Sequence, residues 1–410
     1  MILFRREKYL SRIRGFYDAC DLIKVISGIR RCGKSSLMHT IAEELKEKGV
    51  PEENLIFYNL DKYGYKDIHT PQQLEELLFS NQDIKGIKYV FIDEIQNVKD
   101  FEPVINALRE EEEYSIFITG SNSYLLSGEL ATKLTGRYIE FELFTLTYDE
   151  YKEMKKFYNK EINSDGVLEF DNYIIEGGFP RTITLDSRFE KETYVKNVLQ
   201  DILKKDIRYR VKIRNLEAFT LVQNYIINNF GATTSISNIC NDLNKAGHKI
   251  TRRTVSTYVQ ALVDAKVISE CKRFDMKSRK SLKNEKKYYL ADTSLYYANN
   301  NDHRINYGPT LENIVYNYAK SMGYEVSVGK IGNLEVDFIV RDIENNYAYL
   351  QVALTIENST KTEDREYRPL EKIKDNYPKY VLTRRDLIQK RNGIKHANII
   401  EFVYDKKLFD

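Results

Sequence analysis

Residues 28–35 read Gly28-Ile29-Arg30-Arg31-Cys32-Gly33-Lys34-Ser35, and no other stretch of the chain restricts its fold so tightly. An apolar run, 22–26, enters the segment, and Leu37, Ile41 and Leu45 follow it at helical spacing. The whole reads as strand, loop and helix around the pattern G-x-x-x-x-G-K-[ST]. The two glycines let the backbone turn tightly, so that successive N–H groups converge on an anion. Lys34 brings a point charge for β- and γ-phosphates, and the Ser35 hydroxyl suits Mg²⁺. Gly28, Ile29, Arg30, Arg31, Cys32, Gly33, Lys34, Ser35 and Ser36 are therefore the expected nucleotide contacts, with ATP and Mg²⁺ as cofactors.

Such a loop requires an acidic partner. Residues 89–94, Tyr-Val-Phe-Ile-Asp-Glu, form a continuous apolar run ending in two carboxylates, as a strand buried on both faces does. The carboxyl end of such a strand faces the ligand crevice of an α/β sheet. Asp93, with Ser35, is expected to hold Mg²⁺, and Glu94 to take a proton from the attacking water. A third apolar run, 115–119, leads to Gly120-Ser121-Asn122. Asn122 can orient the attacking water or sense the γ-phosphate, although Ser and Asn are also ordinary turn and cap residues. Arg137 follows Gly136 and precedes a strand over 138–143. In an oligomer it can reach a neighbouring subunit's nucleotide and stabilise transition-state charge, and it equally suits a surface arginine after a helix-ending glycine. Lys34, Asp93, Glu94, Asn122 and Arg137 are thus the catalytic candidates.

Five segments together resemble a prokaryotic family of AAA-type ATPases, in which the ATPase core is followed by a C-terminal domain of unknown function. They are Ile23-Lys24-Val25-Ile26-Ser27 before the loop, Asp93-Glu94, Thr119-Gly120-Ser121, Gly136-Arg137 and Glu176-Gly177-Gly178-Phe179-Pro180. The resemblance covers nearly the whole chain. It implies an ASCE-type core with its catalytic glutamate at Glu94, and it favours an arginine finger at Arg137. It implies no substrate.

With 410 residues, 42% of them hydrophobic, the chain can build two to four cored domains. Charged residues reach 30%, yet the net charge is only +2, so no global basic field marks a nucleic-acid binder. Cys20, Cys32, Cys240 and Cys271 lie far apart without a C-x-x-C pair, which argues against a zinc site or disulfide framework and fits a reducing compartment. No apolar run approaches membrane-spanning length, and the first residues lack a signal-peptide core, so a cytoplasmic protein without a membrane partner is expected.

The expected fold class is α/β, organised as four segments. Residues 1–143 alternate strands and helices like a doubly wound parallel sheet, and 144–214 read as a helical lid and connector. Residues 215–300 read as a winged helix, with Ser235 capping its second helix and Arg252 and Arg253 opening its third. Strands over 266–271 and 287–290 are expected to flank a basic wing, with Lys277, Arg279 and Lys280 among its cations. These residues suit phosphate contacts on DNA, and the alternatives are a solvated loop or a protein-binding winged helix. Residues 301–410 resemble the helix–strand–strand layout of PD-(D/E)xK nucleases through Glu312, Asp337 and the strand around Gln351. Gln351 replaces the second acid and Ala353 the lysine, so catalysis is not expected unless Lys330 or Lys361 substitutes. The functional expectation is an oligomeric ATPase acting on DNA or a DNA-bound partner. The alternatives are a regulatory NTPase that remodels a protein partner and an ATP-dependent nuclease.

Overall fold

A computed structural model describes residues 3–80, 82–120, 133–134, 136–208, 213, 215–278, 280–300, 304–357 and 359–403, with the backbone alone for 280–284. The chain divides into two compact units, Met1–Leu143 with Asp264–Lys266, and Phe144–Val263 with Val267–Asp410. Among the described residues no helix is long and apolar enough to cross a membrane.

The first unit is built on strands β1 (Ile23–Ser27), β2 (Leu55–Asn59), β3 (Lys88–Asp93), β4 (Tyr114–Thr119) and β5 (Tyr138–Glu142). All pair in parallel in the order β2-β3-β4-β1-β5. The inner strands β1, β3 and β4 are buried along their full length, whereas β2 alternates and β5 stays partly exposed. Strands covered on both faces must be continuously apolar, and edge strands need not be. One face packs Val25, Val90, Ile92, Ile116 and Ile118 against Leu74, Leu78, Ile105 and Leu108 of the helices Pro71–Phe79 and Glu102–Glu110. On the alternate positions Phe57, Phe91 and Phe117 stack, their ring centroids 4.5 and 4.8 Å apart. This register brings the ends of β1, β3 and β4 to one edge of the sheet, where ligands of open α/β sheets bind.

The second unit begins with the helices Tyr148–Phe157, Gly166–Glu176 and Arg188–Asp201, the first and third opened by capping boxes, Thr147 with Glu150 and Ser187 with Glu190. Gly177 and Gly178 are needed by contact. A Cβ on Gly177 would lie 1.8 Å from Asp292 Oδ1, and one on Gly178 would lie 2.2 Å from the Leu146 carbonyl. The helices Leu216–Asn228, Ile236–Lys245 and Arg252–Asp264 follow, with the short strand β6 (Thr233–Thr234) after the first. Ser235 caps the second of them by accepting the Asn238 N–H at 3.1 Å.

A hairpin of β7 (Ile268–Asp275) and β8 (Lys280–Leu290) comes next. It is longer than the sequence predicts, and most of 272–287 is strand, because the antiparallel ladder runs from Ile268↔Leu290 to Asp275↔Lys280. After the helix Tyr307–Ser321 come β9 (Glu325–Ile331), β10 (Leu334–Arg341), β11 (Tyr347–Ala353), β12 (Lys379–Thr383), β13 (Lys390–Arg391) and β14 (Ile394–Asn398). One sheet, in the order β13-β14-β12-β11-β10-β9-β7-β8-β6, runs through both predicted C-terminal segments, joined by the parallel pair β7–β9.

Candidate nucleotide site

The loop between β1 and the helix Lys34–Glu47 takes the shape its glycines permit. Gly28, Arg31 and Gly33 have φ of 141°, 69° and 106°. A Cβ on Gly28 would lie 2.2 Å from the Leu143 carbonyl oxygen and 2.9 Å from Cys32 Sγ, so glycine is required there by space as well as by φ. Gly33 caps the helix without a side chain, leaving the first-turn N–H groups to the loop's concave side. Lys34 is buried and folds back, its Nζ donating to the carbonyls of Gly28 at 2.8 Å and Ile29 at 3.3 Å. Cys32 fills space beneath the loop, fully buried, and burial pushes its thiol pKa up. Ile29 is likewise buried, Arg30 and Ser35 are half-buried, and Arg31 and Ser36 are exposed.

The acids sit where the sequence predicts, at the end of β3. Ser35 Oγ donates to Asp93 Oδ2 at 2.6 Å. A hydroxyl and a carboxylate are hard oxygen ligands, so this pair fits Mg²⁺, with Lys34 and the loop N–H groups left for phosphate. Glu94 holds a left-handed backbone, φ 59°, uncommon away from glycine. Its N–H donates to Thr119 Oγ1 at 3.2 Å. Its carboxylate accepts from Gln96 Nε2 at 2.5 Å and lies 4.0 Å from an Arg30 guanidinium nitrogen.

Two residues of this site have roles that the sequence does not assign, although Thr119 lies in one of the five family-like segments. The Thr119 hydroxyl, at the end of β4, donates to Asp93 Oδ1 while accepting the Glu94 N–H, which ties both acids to one side chain. Asn59, at the end of β2, donates to Asp93 Oδ2 at 3.0 Å. Asn122, the residue expected to act beyond β4, lies outside the described residues.

Arg137 is not brought to this site in its own chain. It precedes β5 at the amino edge of the sheet, where its carbonyl accepts the Ile23 N–H, whereas the loop leaves β1 after Ser27. The five residues of β1 intervene, a span of about 16 Å at ~3.3 Å per residue. Arg137 is exposed there.

Among the predicted DNA contacts, Arg252 and Arg253 stand exposed on the first turn of the helix Arg252–Asp264, and Thr251 Oγ1 accepts the Thr254 N–H at 3.2 Å. Lys277 is exposed in the β7–β8 turn, where Asp275 Oδ1 accepts its N–H at 2.9 Å. Arg279 and the side chain of Lys280 lie outside the described residues. Three other cations of the predicted wing pair with carboxylates, Arg273 and Lys287 buried and Lys286 half-buried. Arg273 pairs with Glu285 and Glu335, Lys286 with Glu270, and Lys287 with Glu312 and Glu335. In the nuclease-like constellation the lysine that meets Glu312 and Asp337 is therefore Lys287, from β8, not Lys330 or Lys361. Among the described residues no group of three His, Cys, Asp or Glu side chains is arranged to hold a metal ion.

Comparisons with known proteins agree with the core. An AAA domain family matches residues 21–152, and a domain of unknown function (DUF8612) matches residues 167–305. An uncharacterised protein of Haemophilus influenzae is 34% identical over 383 residues, which cover 93% of each chain. An uncharacterised protein of Methanocaldococcus jannaschii is 32% identical over 367 residues, 86% of this chain and 79% of that one. Among solved structures, the Walker-type ATPase PABY2304 of Pyrococcus abyssi superposes with a TM-score of 0.50 at 16% identity, covering 72% of this chain and 95% of that chain, a likeness of fold.

Proposed function

The chain belongs to the family of AAA-domain P-loop ATPases that it forms with these relatives, and from that premise we propose that it binds Mg²⁺–ATP and hydrolyses it at Glu94. The observation that carries this reading is the convergence of Ser35, Thr119 and Glu94 around Asp93 at the carboxyl edge of the sheet. Lys34 and the loop N–H groups bind and orient the phosphates, while Ser35 and Asp93 hold the cation, which supplies charge neutralisation. Glu94 accepts the proton of the attacking water. Arg137, remote from its own loop, serves the site of a neighbouring subunit in a homo-oligomer.

We further propose that hydrolysis is coupled to DNA or to a DNA-bound partner. The element order from Leu216 to Leu290, helix, short strand, two helices and a hairpin, supports a winged helix with Arg252 and Arg253 exposed where a third helix meets DNA. A protein-remodelling NTPase is the second reading, and the burial of Arg273 and Lys287 against carboxylates favours it by withdrawing two cations from any DNA-facing surface. No nuclease step is proposed, since β11 offers only Gln351 and Ala353. Duplex binding measured across salt concentrations separates the readings. A steep salt slope that flattens on neutralising Lys277, Arg279 and Lys280 supports DNA, and no binding at low salt supports a protein partner.

A further inference from the structure

Arg6 lies outside the 28–36 loop, yet it reaches the loop's backbone. The residue is only 6% exposed, and its Nη1 donates to the Cys32 carbonyl at 3.3 Å. The guanidinium also lies over the buried Tyr9 ring, 4.6 Å from the centroid. The backbone of Arg6 is fixed as well. It is the cap residue of the helix Glu7–Ile13, and its carbonyl accepts the N–H groups of Tyr9 at 3.0 Å and Leu10 at 3.1 Å. Neighbouring residues grip the helix that the loop opens. Glu44, buried on the helix Lys34–Glu47, accepts from Arg14 Nε at 3.0 Å, Arg14 Nη2 at 2.7 Å and the Tyr17 hydroxyl at 2.8 Å, and Arg5 pairs with Glu47. These bonds tie the segment that carries Arg6 to the helix that follows the loop.

The Cys32–Gly33 peptide needs such a hold. Among the described residues no peptide bond is cis, so the Cys32 carbonyl and the Gly33 N–H, which share one planar unit, point in opposite directions. Turning that unit over would carry the φ of Gly33 from 106° to the negative side, and glycine takes both signs about equally well. No side chain on Gly33 therefore opposes the flip, which would present a carbonyl oxygen to an anion where an N–H stood. The Arg6 guanidinium does oppose it. Flipping would strip a buried charge of its acceptor. The same bond polarises the peptide, which makes the N–H on the far side a stronger donor.

We propose that Arg6 is a positioning residue for the phosphate loop, holding the Cys32 carbonyl outward so that the Gly33 N–H faces the polyphosphate. This role rests on the nucleotide reading, and it acts before any ligand arrives, through the loop backbone rather than by contact with the nucleotide.

The test measures the affinity of the full-length chain for ATP, ADP and inorganic pyrophosphate by titration calorimetry, beside its melting temperature without ligand. Arg6→Met keeps an unbranched apolar stem against Tyr9 and removes the donors, whereas Arg6→Lys keeps a donor. Arg6→Met should melt within a few degrees of the parent and lose about tenfold or more in affinity, as loss of a charge-assisted hydrogen bond implies. The loss should be shared by all three ligands, because the loop N–H groups meet phosphate and not the base. Arg6→Lys should recover most of it. A parent that binds none of the three overturns the nucleotide reading and this role with it. The role of Arg6 alone is overturned by a folded Arg6→Met chain that binds pyrophosphate as the parent does, by an Arg6→Lys chain as weak as Arg6→Met, or by failure of both variants to fold without ligand, which would make Arg6 an anchor of the fold.

Discussion

Replacing Thr119 with valine keeps the shape of the side chain and deletes its hydroxyl. That hydroxyl donates to Asp93 Oδ1 and accepts the Glu94 N–H at 3.2 Å. Thr119 is fully buried and Asp93 only 6% exposed. Valine therefore leaves two polar groups without their protein partner, at about 1–3 kcal/mol each. Asp93 keeps its bonds from Ser35 and Asn59, so the loss of stability should fall near the lower end, about 2 kcal/mol in all. Turnover should suffer more than binding. Glu94 holds a left-handed backbone conformation whose N–H is fixed by this one bond, and misplacing a catalytic group by about 1 Å costs on the order of 10²-fold. ATP turnover and nucleotide affinity, measured on Thr119→Val and Thr119→Ser, check this. Serine should restore most of the rate. A Thr119→Val chain with parental turnover and parental stability would refute the role given to this hydroxyl.

Gly28→Ala should abolish nucleotide binding, measured by titration calorimetry, because its Cβ would overlap the Leu143 carbonyl and the φ of 141° is open only to glycine. Lys24, fully buried in β1, donates to the Ala19 and Leu22 carbonyls and to Ser115 Oγ, and burial lowers its pKa from 10.5 to about 8. Below the folded value both folded and unfolded chains carry the charge, and between the two values only the unfolded chain does. Stability should therefore rise with pH from about 8 to about 10.5, by up to ~3 kcal/mol at ~1.4 kcal/mol per pH unit. Denaturant melts of the nucleotide-binding unit at several pH values should show that rise in the parent and lose it in Lys24→Met.

What the sequence reveals and what it conceals have physical reasons. The loop, β1, β3 and β4 are legible because a strand buried on both faces must be apolar throughout, and the loop needs particular residue types at fixed spacing. The role of the Thr119 hydroxyl is concealed, even within a family-like segment, because a β-branched residue ending an apolar strand reads as an ordinary strand former. Asn59 closes an edge strand, where alternation makes a polar residue unremarked. The hairpin misleads for another reason. A run of cations says nothing about which side chains turn inward until the register is known, and Arg273 and Lys287 turn towards acids that lie far along the chain. The segments 215–300 and 301–410, read apart from the sequence pattern, share one sheet because the pairing that joins β7 to β9 leaves no local signature in either segment.

The central claim, that Glu94 is the base of an ATP-hydrolysing site built on the 28–36 loop, is tested most directly by comparing Glu94→Gln with Lys34→Ala for nucleotide binding and turnover. Glu94→Gln should bind ATP as the parent does while losing turnover by about 10²–10⁴-fold, because an amide cannot accept the proton. Lys34→Ala should lose binding itself, since the charge that meets the phosphates is gone. Hydrolysis by Glu94→Gln at the parental rate would contradict the account.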